Sequence, residues 1–145
     1  MYPARLDEKG RLKLPEKFQK YLGDLPERKL FVTSLDRHMA TVYPIAIWRE
    51  NEKLFTSHHE NPKAVKRVWF TAQELGSEAE MDAQGRVLFS PELRRELRIE
   101  NQPVKVLVVN VAIQVMSDEL FKKEQAEAAE SSENDVETLQ RAGLK

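Results

Sequence analysis

The sequence predicts a strand-rich α+β fold in which two tandem repeats share one core, forming a pseudo-twofold, β-barrel-like unit with peripheral helices. Three observations carry that expectation. A short signature occurs twice, and the apolar residues after each copy alternate first with the period of a strand and then with that of a helix. A chain of 145 residues, 41% apolar and 32% charged, supports a single core.

The signature Leu6-Asp7-Glu8-Lys9-Gly10-Arg11-Leu12-Lys13-Leu14-Pro15 returns 75 residues later as Met81-Asp82-Ala83-Gln84-Gly85-Arg86-Val87-Leu88-Phe89-Ser90-Pro91. Two copies of Asp-x-x-Gly-Arg in one register have a chance probability well under about one in a thousand, so the repeat is a property of the fold. In each copy the Asp offers an acceptor to the N–H groups of a hairpin turn, and Gly10 or Gly85 is free to take a positive φ. Leu12 and Leu14, like Val87 and Phe89, then line one face of a strand. Pro15 and Pro91 suit the first turn of a helix, with Ser90 a candidate N-cap. Phe18, Tyr21 and Leu22 form the apolar stripe of the first helix, which Gly23 can end; Leu93 and Leu97, followed by Ile99, do the same in the second.

Two strands follow each helix. Residues 29–35 and 39–43 flank a Leu35-Asp36-Arg37-His38 turn, and residues 104–109 and 111–116 flank Asn110. Each pair leads into a short helix, one starting at Pro44 with Ile47 and Trp48, the other at Ser117 with Leu120 and Phe121; residues 61–70 predict a further helix carrying Val65, Val68 and Trp69. One copy of about 45 residues cannot bury its sheet face alone, so the two pack together with their turn-bearing hairpins side by side. The divisions are residues 1–50 for the first repeat, 51–77 for a helical connection, 78–121 for the second repeat, and 122–145 for an acidic helical or disordered tail. In that tail Val136, Leu139 and Leu144 offer little apolar surface.

The net charge of -1 hides an asymmetry: residues 1–73 carry 14 Lys/Arg against 9 Asp/Glu, whereas residues 74–145 carry 9 against 15. The basic half is a candidate polyanion footprint. The absence of cysteine excludes disulfides, thiolate nucleophiles and the usual thiolate metal sites, and no metal or cofactor is expected. His58-His59-Glu60 invites a metal reading, but adjacent side chains diverge and a solvated linker is the better account. No apolar run approaches the roughly 18 residues of a membrane span, and the first residues do not read as a secretory signal, which predicts a soluble cytoplasmic protein. No phosphate loop, nucleophile elbow or His–carboxylate spacing is present, so no catalytic residue and no enzyme activity are expected. Asp7 and Asp82 sit beside arginines, which lower a carboxyl pKa where acid catalysis needs it raised.

The doubled Asp-x-x-Gly-Arg, each followed by a strand, a proline and a helix, together with Val42-Tyr43-Pro44 leading to Trp48, resembles the MraZ family over about residues 5–121. These are bacterial proteins built from two tandem AbrB-like (SpoVT/AbrB) swapped-hairpin units. The resemblance implies a sequence-specific transcriptional regulator of the division and cell-wall gene cluster. It further implies a nucleoid-associated homo-oligomeric ring that reads G-rich direct repeats in double-stranded DNA near its own promoter. The family's Asp-x-x-x-Arg elements fall on Asp7 with Arg11 and on Asp82 with Arg86.

Chemically, an arginine at the base of a glycine turn is a guanidinium displayed on a stiff two-stranded ribbon, which fits the major groove, and its planar fork matches guanine O6 and N7. Arg11 and Arg86 are therefore candidate base readers. Arg5, Lys9 and Lys13 are candidate phosphate contacts, and Gln84 can read adenine or a phosphate. Asp7, Gly10, Asp82 and Gly85 are expected to build the turns. In the plainer account the Asp–Arg pair only holds its turn, contributing about 0–1 kcal/mol if exposed; the two roles are compatible when Asp orients Arg. Trp48, and Trp69 with Phe70, suit core or subunit contacts better than base stacking, and Lys63, Lys66 and Arg67 suit a solvated helix face. Arg94-Arg95 is a further candidate backbone contact beside the second hairpin. The alternative function is a non-catalytic protein-interaction scaffold of the same fold, which needs no specific DNA.

Overall fold

In a computed structural model that describes residues 1–58 and 60–145, the alternating segments become strands and the 3.6-period segments become helices. His59, within the His58-His59-Glu60 group, lies outside the described residues. In chain order the elements are β1 (Tyr2–Arg5), β2 (Arg11–Lys13), α1 (Glu16–Gly23), β3 (Lys29–Thr33), β4 (Ala40–Pro44), α2 (Ile45–Ser57) and α3 (Pro62–Leu75). They continue as β5 (Ser77–Glu80), β6 (Arg86–Leu88), α4 (Pro91–Leu97), β7 (Pro103–Val109), β8 (Ala112–Ser117), α5 (Asp118–Glu130) and α6 (Ser132–Arg141).

Six strands pair antiparallel in the order β1-β7-β8-β4-β3-β5, and β2 pairs antiparallel with β6 in a separate ribbon. Exchanging β1 with β5, β3 with β7 and β4 with β8 converts that order into its own reverse. Each half therefore contributes its first strand to the edge of the other half's hairpin: Tyr2 lies opposite Val106, and Lys29 opposite Glu80. Two expectations change here. The first two strands of each copy do not pair with each other, because the Asp turn carries the chain from one sheet into the other and the ribbon takes one strand from each copy. The six strands also do not close by hydrogen bonding, since β1 and β5 end the sheet as separate edges.

The inner sheet face, including Leu30, Val32, Val106 and Ile113, packs with Leu12 and Val87 of the ribbon. The helix stripes close over this core: Phe18 and Leu22 of α1 and Leu93 and Leu97 of α4 are buried, whereas Tyr21 turns outward. Ser90 caps α4 as expected, its Oγ accepting the Leu93 N–H at 3.2 Å. Pro15 sits one position earlier than predicted, at the N-cap of α1 itself.

A second cluster covers the opposite face of β3, where Trp48 of α2 stacks on Phe31 with ring centroids 4.4 Å apart and Ala72 of α3 joins them. This contact explains why α3 runs to Leu75, beyond the predicted end: Thr33 Oγ1 donates to the Ala72 carbonyl at 2.8 Å. Gly76 then allows the chain to turn into β5, because a Cβ there would meet both the Ala72 carbonyl and the Phe31 ring. Trp48 is thus a core residue, while Trp69 and Phe70 remain exposed.

Beyond β8 the chain is helical, and neither α5 nor α6 buries a residue. The tail is tied to the sheet near its start, where the Lys105 ammonium lies 4.9 Å from the Phe121 ring centroid. Among the described residues no helix is long and apolar enough to cross a membrane.

Leu12 lies at the centre of the inter-repeat ribbon and is fully buried. Leu12→Ala is expected to cost about 2–5 kcal/mol in urea denaturation, against about 0.5 kcal/mol or less for Leu139→Ala on the exposed tail.

Candidate nucleic-acid interface

The interface starts from the alternation of a three-residue strand. With Leu12 opposite Val87 and both buried, period 2 turns Arg11, Lys13, Arg86 and Leu88 to the outer face. The register sets Lys13 beside Arg86 and Arg11 beside Leu88. Cations from both copies thereby share one short surface.

Each arginine is set by its turn. Asp7 Oδ1 accepts the backbone N–H of Lys9 at 3.0 Å and of Arg11 at 2.9 Å, while Oδ2 accepts the Arg11 Nε–H at 2.8 Å. In the second copy Asp82 Oδ1 accepts from Gln84 and Arg86 at 2.9 Å each, and Oδ2 takes the Arg86 Nε–H at 2.9 Å. Gly10 and Gly85 hold the positive φ values of 82° and 77° that these turns require. The copies are then tied reciprocally: the Leu14 N–H donates to the Gly85 carbonyl at 2.9 Å, and the Phe89 N–H to the Gly10 carbonyl at 3.0 Å. The two ion pairs approach closely enough for Arg86 Nη1 to lie 3.8 Å from Asp7 Oδ2.

Asp7 and Arg11 do pair, as the plainer account expects, and the pairing leaves the arginine chemically available. From its guanidinium each Asp accepts only the Nε–H, so the terminal nitrogens keep their donors, and each arginine side chain is 27% exposed. The backbone N–H of Arg11, followed by its guanidinium, holds the Asp7 carboxyl below its ordinary value of 3.8; Arg86 does the same to Asp82, again through its backbone N–H first. Both aspartates are therefore fixed anions, in keeping with the sequence reading that they do not suit acid catalysis.

The remaining candidates differ in placement. Lys9 and Gln84 are exposed on the first and second turns. Arg5 lies on β1 and donates from Nη1 to the Asn101 carbonyl at 2.6 Å, so its guanidinium is engaged by the α4–β7 loop. Lys63, Lys66 and Arg67 are exposed on α3. Among the described residues no group of three or more His, Asp or Glu side chains is arranged to hold a metal ion.

Gln19 escaped the sequence reading, and Arg94, a candidate backbone contact there, has a further place in the structure. The guanidinium of Arg94 occupies the place that a side chain at Gly10 would take, and the amide of Gln19 does so at Gly85. Arg94 thus backs the first turn, although in sequence it lies beside the second, because the strand exchange carries each copy's helix behind the other copy's glycine. Its side chain is 13% exposed and Nη1 lies 3.5 Å from Glu100 Oε1. The offset that relates Gly10 to Gly85 also relates Gln19 to Arg94, so their equivalence was visible in the sequence.

A family model described as "MraZ protein, putative antitoxin-like" matches residues 76–142. The chain is 37% identical over 123 residues to the transcriptional regulator MraZ of Acidobacterium capsulatum, covering 84% of this chain and 83% of that protein. It is 33% identical over 145 residues to the protein of that name from Koribacter versatilis, covering 99% and 97% of the two chains. To the one from Desulforamulus reducens it is 31% identical over 141 residues, covering 95% and 94%.

Because the native carboxyls sit below 3.8, their contribution to stability is fully present above that value and is lost as pH falls through the lower native values. Melting temperature should therefore fall more between about pH 5 and pH 2 in the wild type than in an Asp7→Asn, Asp82→Asn variant. Parallel curves would show that these bonds do not couple to folding.

Proposed function

The chain belongs to the MraZ family, and on that premise we propose that it is a sequence-specific DNA-binding transcriptional regulator whose paired turns bring Arg11 and Arg86 to the major groove. The observation that carries this reading is the outer face of the β2–β6 ribbon, where both Asp-oriented arginines stand with Lys13 on one surface. A two-stranded ribbon fits the major groove of B-DNA, and a guanidinium fixed through Nε keeps donors for guanine O6 and N7. Lys13 beside Arg86 and Lys9 on the first turn suit phosphates; Gln84 on the second turn suits adenine or a phosphate. Arg5 belongs to the phosphate set on release from Asn101.

In this reading the two halves, 1–50 and 78–121, are AbrB-like swapped-hairpin units, and the exchange of β1 and β5 between the halves supports that description. The targets are G-rich direct repeats near the chain's own promoter and the division and cell-wall genes. The working form is a homo-oligomeric ring on the nucleoid. One chain offers a short ribbon and few cations, so its affinity for a single repeat is low. A ring that engages several repeats makes each added contact intramolecular.

Gel shifts on the DNA upstream of the gene, with non-specific competitor, test the assignment. Arg11→Ala should cost about 1–3 kcal/mol and relax specificity at one base, whereas Lys13→Ala should weaken all sequences alike and reduce the salt slope by about one. Wild-type affinity in an Arg11→Ala, Arg86→Ala variant with an intact circular dichroism spectrum would leave the scaffold function standing instead.

Operator phasing tests the assembly. Inserting about 5 bp between repeats should weaken binding sharply, and about 10 bp should partly restore it, because neighbouring subunits on one side of the duplex need repeats one helical turn apart. Binding that ignores the insertions would remove the multi-repeat mode.

A further inference from the structure

The outer face of the β2–β6 ribbon presents four side chains, and one of them is apolar. Arg11 stands opposite Leu88, and Lys13 opposite Arg86. The 75-residue offset that relates Arg11 to Arg86 also relates Lys13 to Leu88, so the leucine takes the place at which the other copy carries a cation. Alternation sends Val87 fully into the core and turns Leu88 outward, where it is 50% exposed and belongs to neither apolar cluster. A single exposed leucine is ordinary on a protein surface and by itself points to no ligand. The position of this one does.

Residues directly opposite in an antiparallel pair have Cβ atoms about 4.5–5.5 Å apart, so Leu88 and Arg11 project side by side from one end of the ribbon. Arg11 is held there, since Asp7 accepts its Nε–H at 2.8 Å. Successive bases rise by about 3.4 Å along a strand of the duplex, so two side chains with this spacing address neighbouring base pairs. Leucine has no donor or acceptor and offers nothing to a phosphate oxygen or to the polar edges of guanine, adenine and cytosine. In the major groove thymine alone presents a methyl group, at C5.

We propose that Leu88 is a specificity-determining residue, packing on the C5-methyl of a thymine in a base pair next to the guanine that Arg11 reads. This rests on the reading above that the ribbon enters the major groove, and it names a further chemical group recognised by that same surface. The two ends of the ribbon then differ: Arg11 with Leu88 reads two bases, whereas Arg86 with Lys13 joins one base to a phosphate. A pseudo-twofold ribbon thereby lies in one direction on an asymmetric site.

Uracil differs from thymine only in lacking that methyl. The duplex upstream of the gene is prepared with thymine throughout and with uracil at one position at a time, and gel shifts at constant salt compare the wild type with Leu88→Ser, Leu88→Met and Leu88→Lys. In the wild type, uracil at one position next to a guanine of the site should weaken binding about fourfold, the factor expected for one methyl group buried from water. Leu88→Ser should bind the two duplexes equally at that position, and Leu88→Met should keep the preference. Leu88→Lys should lose the preference, bind all sequences more tightly and raise the salt slope by about one. Because Leu88 is exposed, all three variants should keep the circular dichroism spectrum of the wild type. Specific binding by the wild type that is indifferent to uracil overturns the proposal and leaves the DNA reading standing. So does a uracil effect of equal size in Leu88→Ser, since the methyl is then felt elsewhere. A Leu88→Ser chain whose mass changes in light scattering while the uracil effect persists also overturns it, and assigns the leucine to a contact between chains. A wild type that fails to retard the upstream duplex removes the DNA reading and this role of Leu88 together.

Discussion

The antiparallel pairing of β2 with β6 is the constraint on which the rest depends. It is short, with Leu12 against Val87 at its centre and a reciprocal bond at each end, from Leu14 to Gly85 and from Phe89 to Gly10. Those end bonds use the carbonyls of the same glycines whose positive φ values make the Asp turns. Turn geometry and inter-repeat pairing are therefore a single arrangement. Since each turn leads back to a strand in the opposite half of the sheet, the ribbon also fixes how the halves meet.

Placing aspartates inside a cationic surface has a chemical purpose in the proposed mode of action. A carboxylate repels phosphate, so Asp7 and Asp82 weaken general attraction to any duplex. They also restrict the rotamers of Arg11 and Arg86 through bonds of 2.8 and 2.9 Å. The exchange of indiscriminate attraction for fixed orientation favours base reading over backbone binding. Arg94 shows a related economy, since one side chain supports the Gly10 turn and keeps its charge within the protein beneath it. Gln19 gives the second turn the same support without the charge.

Much of this was legible in the sequence because it is local. The Asp-x-x-Gly-Arg spacing encodes a turn whose bonds span no more than four residues, and alternation around Leu12 and Val87 sets the faces. Phe18, Leu22, Leu93 and Leu97 emerged from helical spacing. What stayed hidden is what the chain decides at long range. Nothing near Tyr2 announces a partner at Val106, because an edge strand's neighbour is chosen by the packing of the whole sheet. The packing of Arg94 behind the first turn was hidden for the same reason: its nearest turn in sequence is Gly85, and only the strand exchange brings it to Gly10. The full length of α3 was hidden too, since Ala72 is bonded by Thr33 from a distant strand.

The exchange of β1 has a bearing on how the protein comes into being. As the chain leaves the ribosome, Tyr2 to Arg5 appear long before their partners at 103–106. Through most of synthesis the leading strand has an unsatisfied edge, and the halves of the core wait for each other. Folding is therefore governed by long-range closure and completes only once β7 is available. A nascent chain stalled before β5 presents open edges at β1 and β3 that match those of another incomplete copy. The symmetry that joins the halves within one chain thus also offers a route to joining half-made chains to each other.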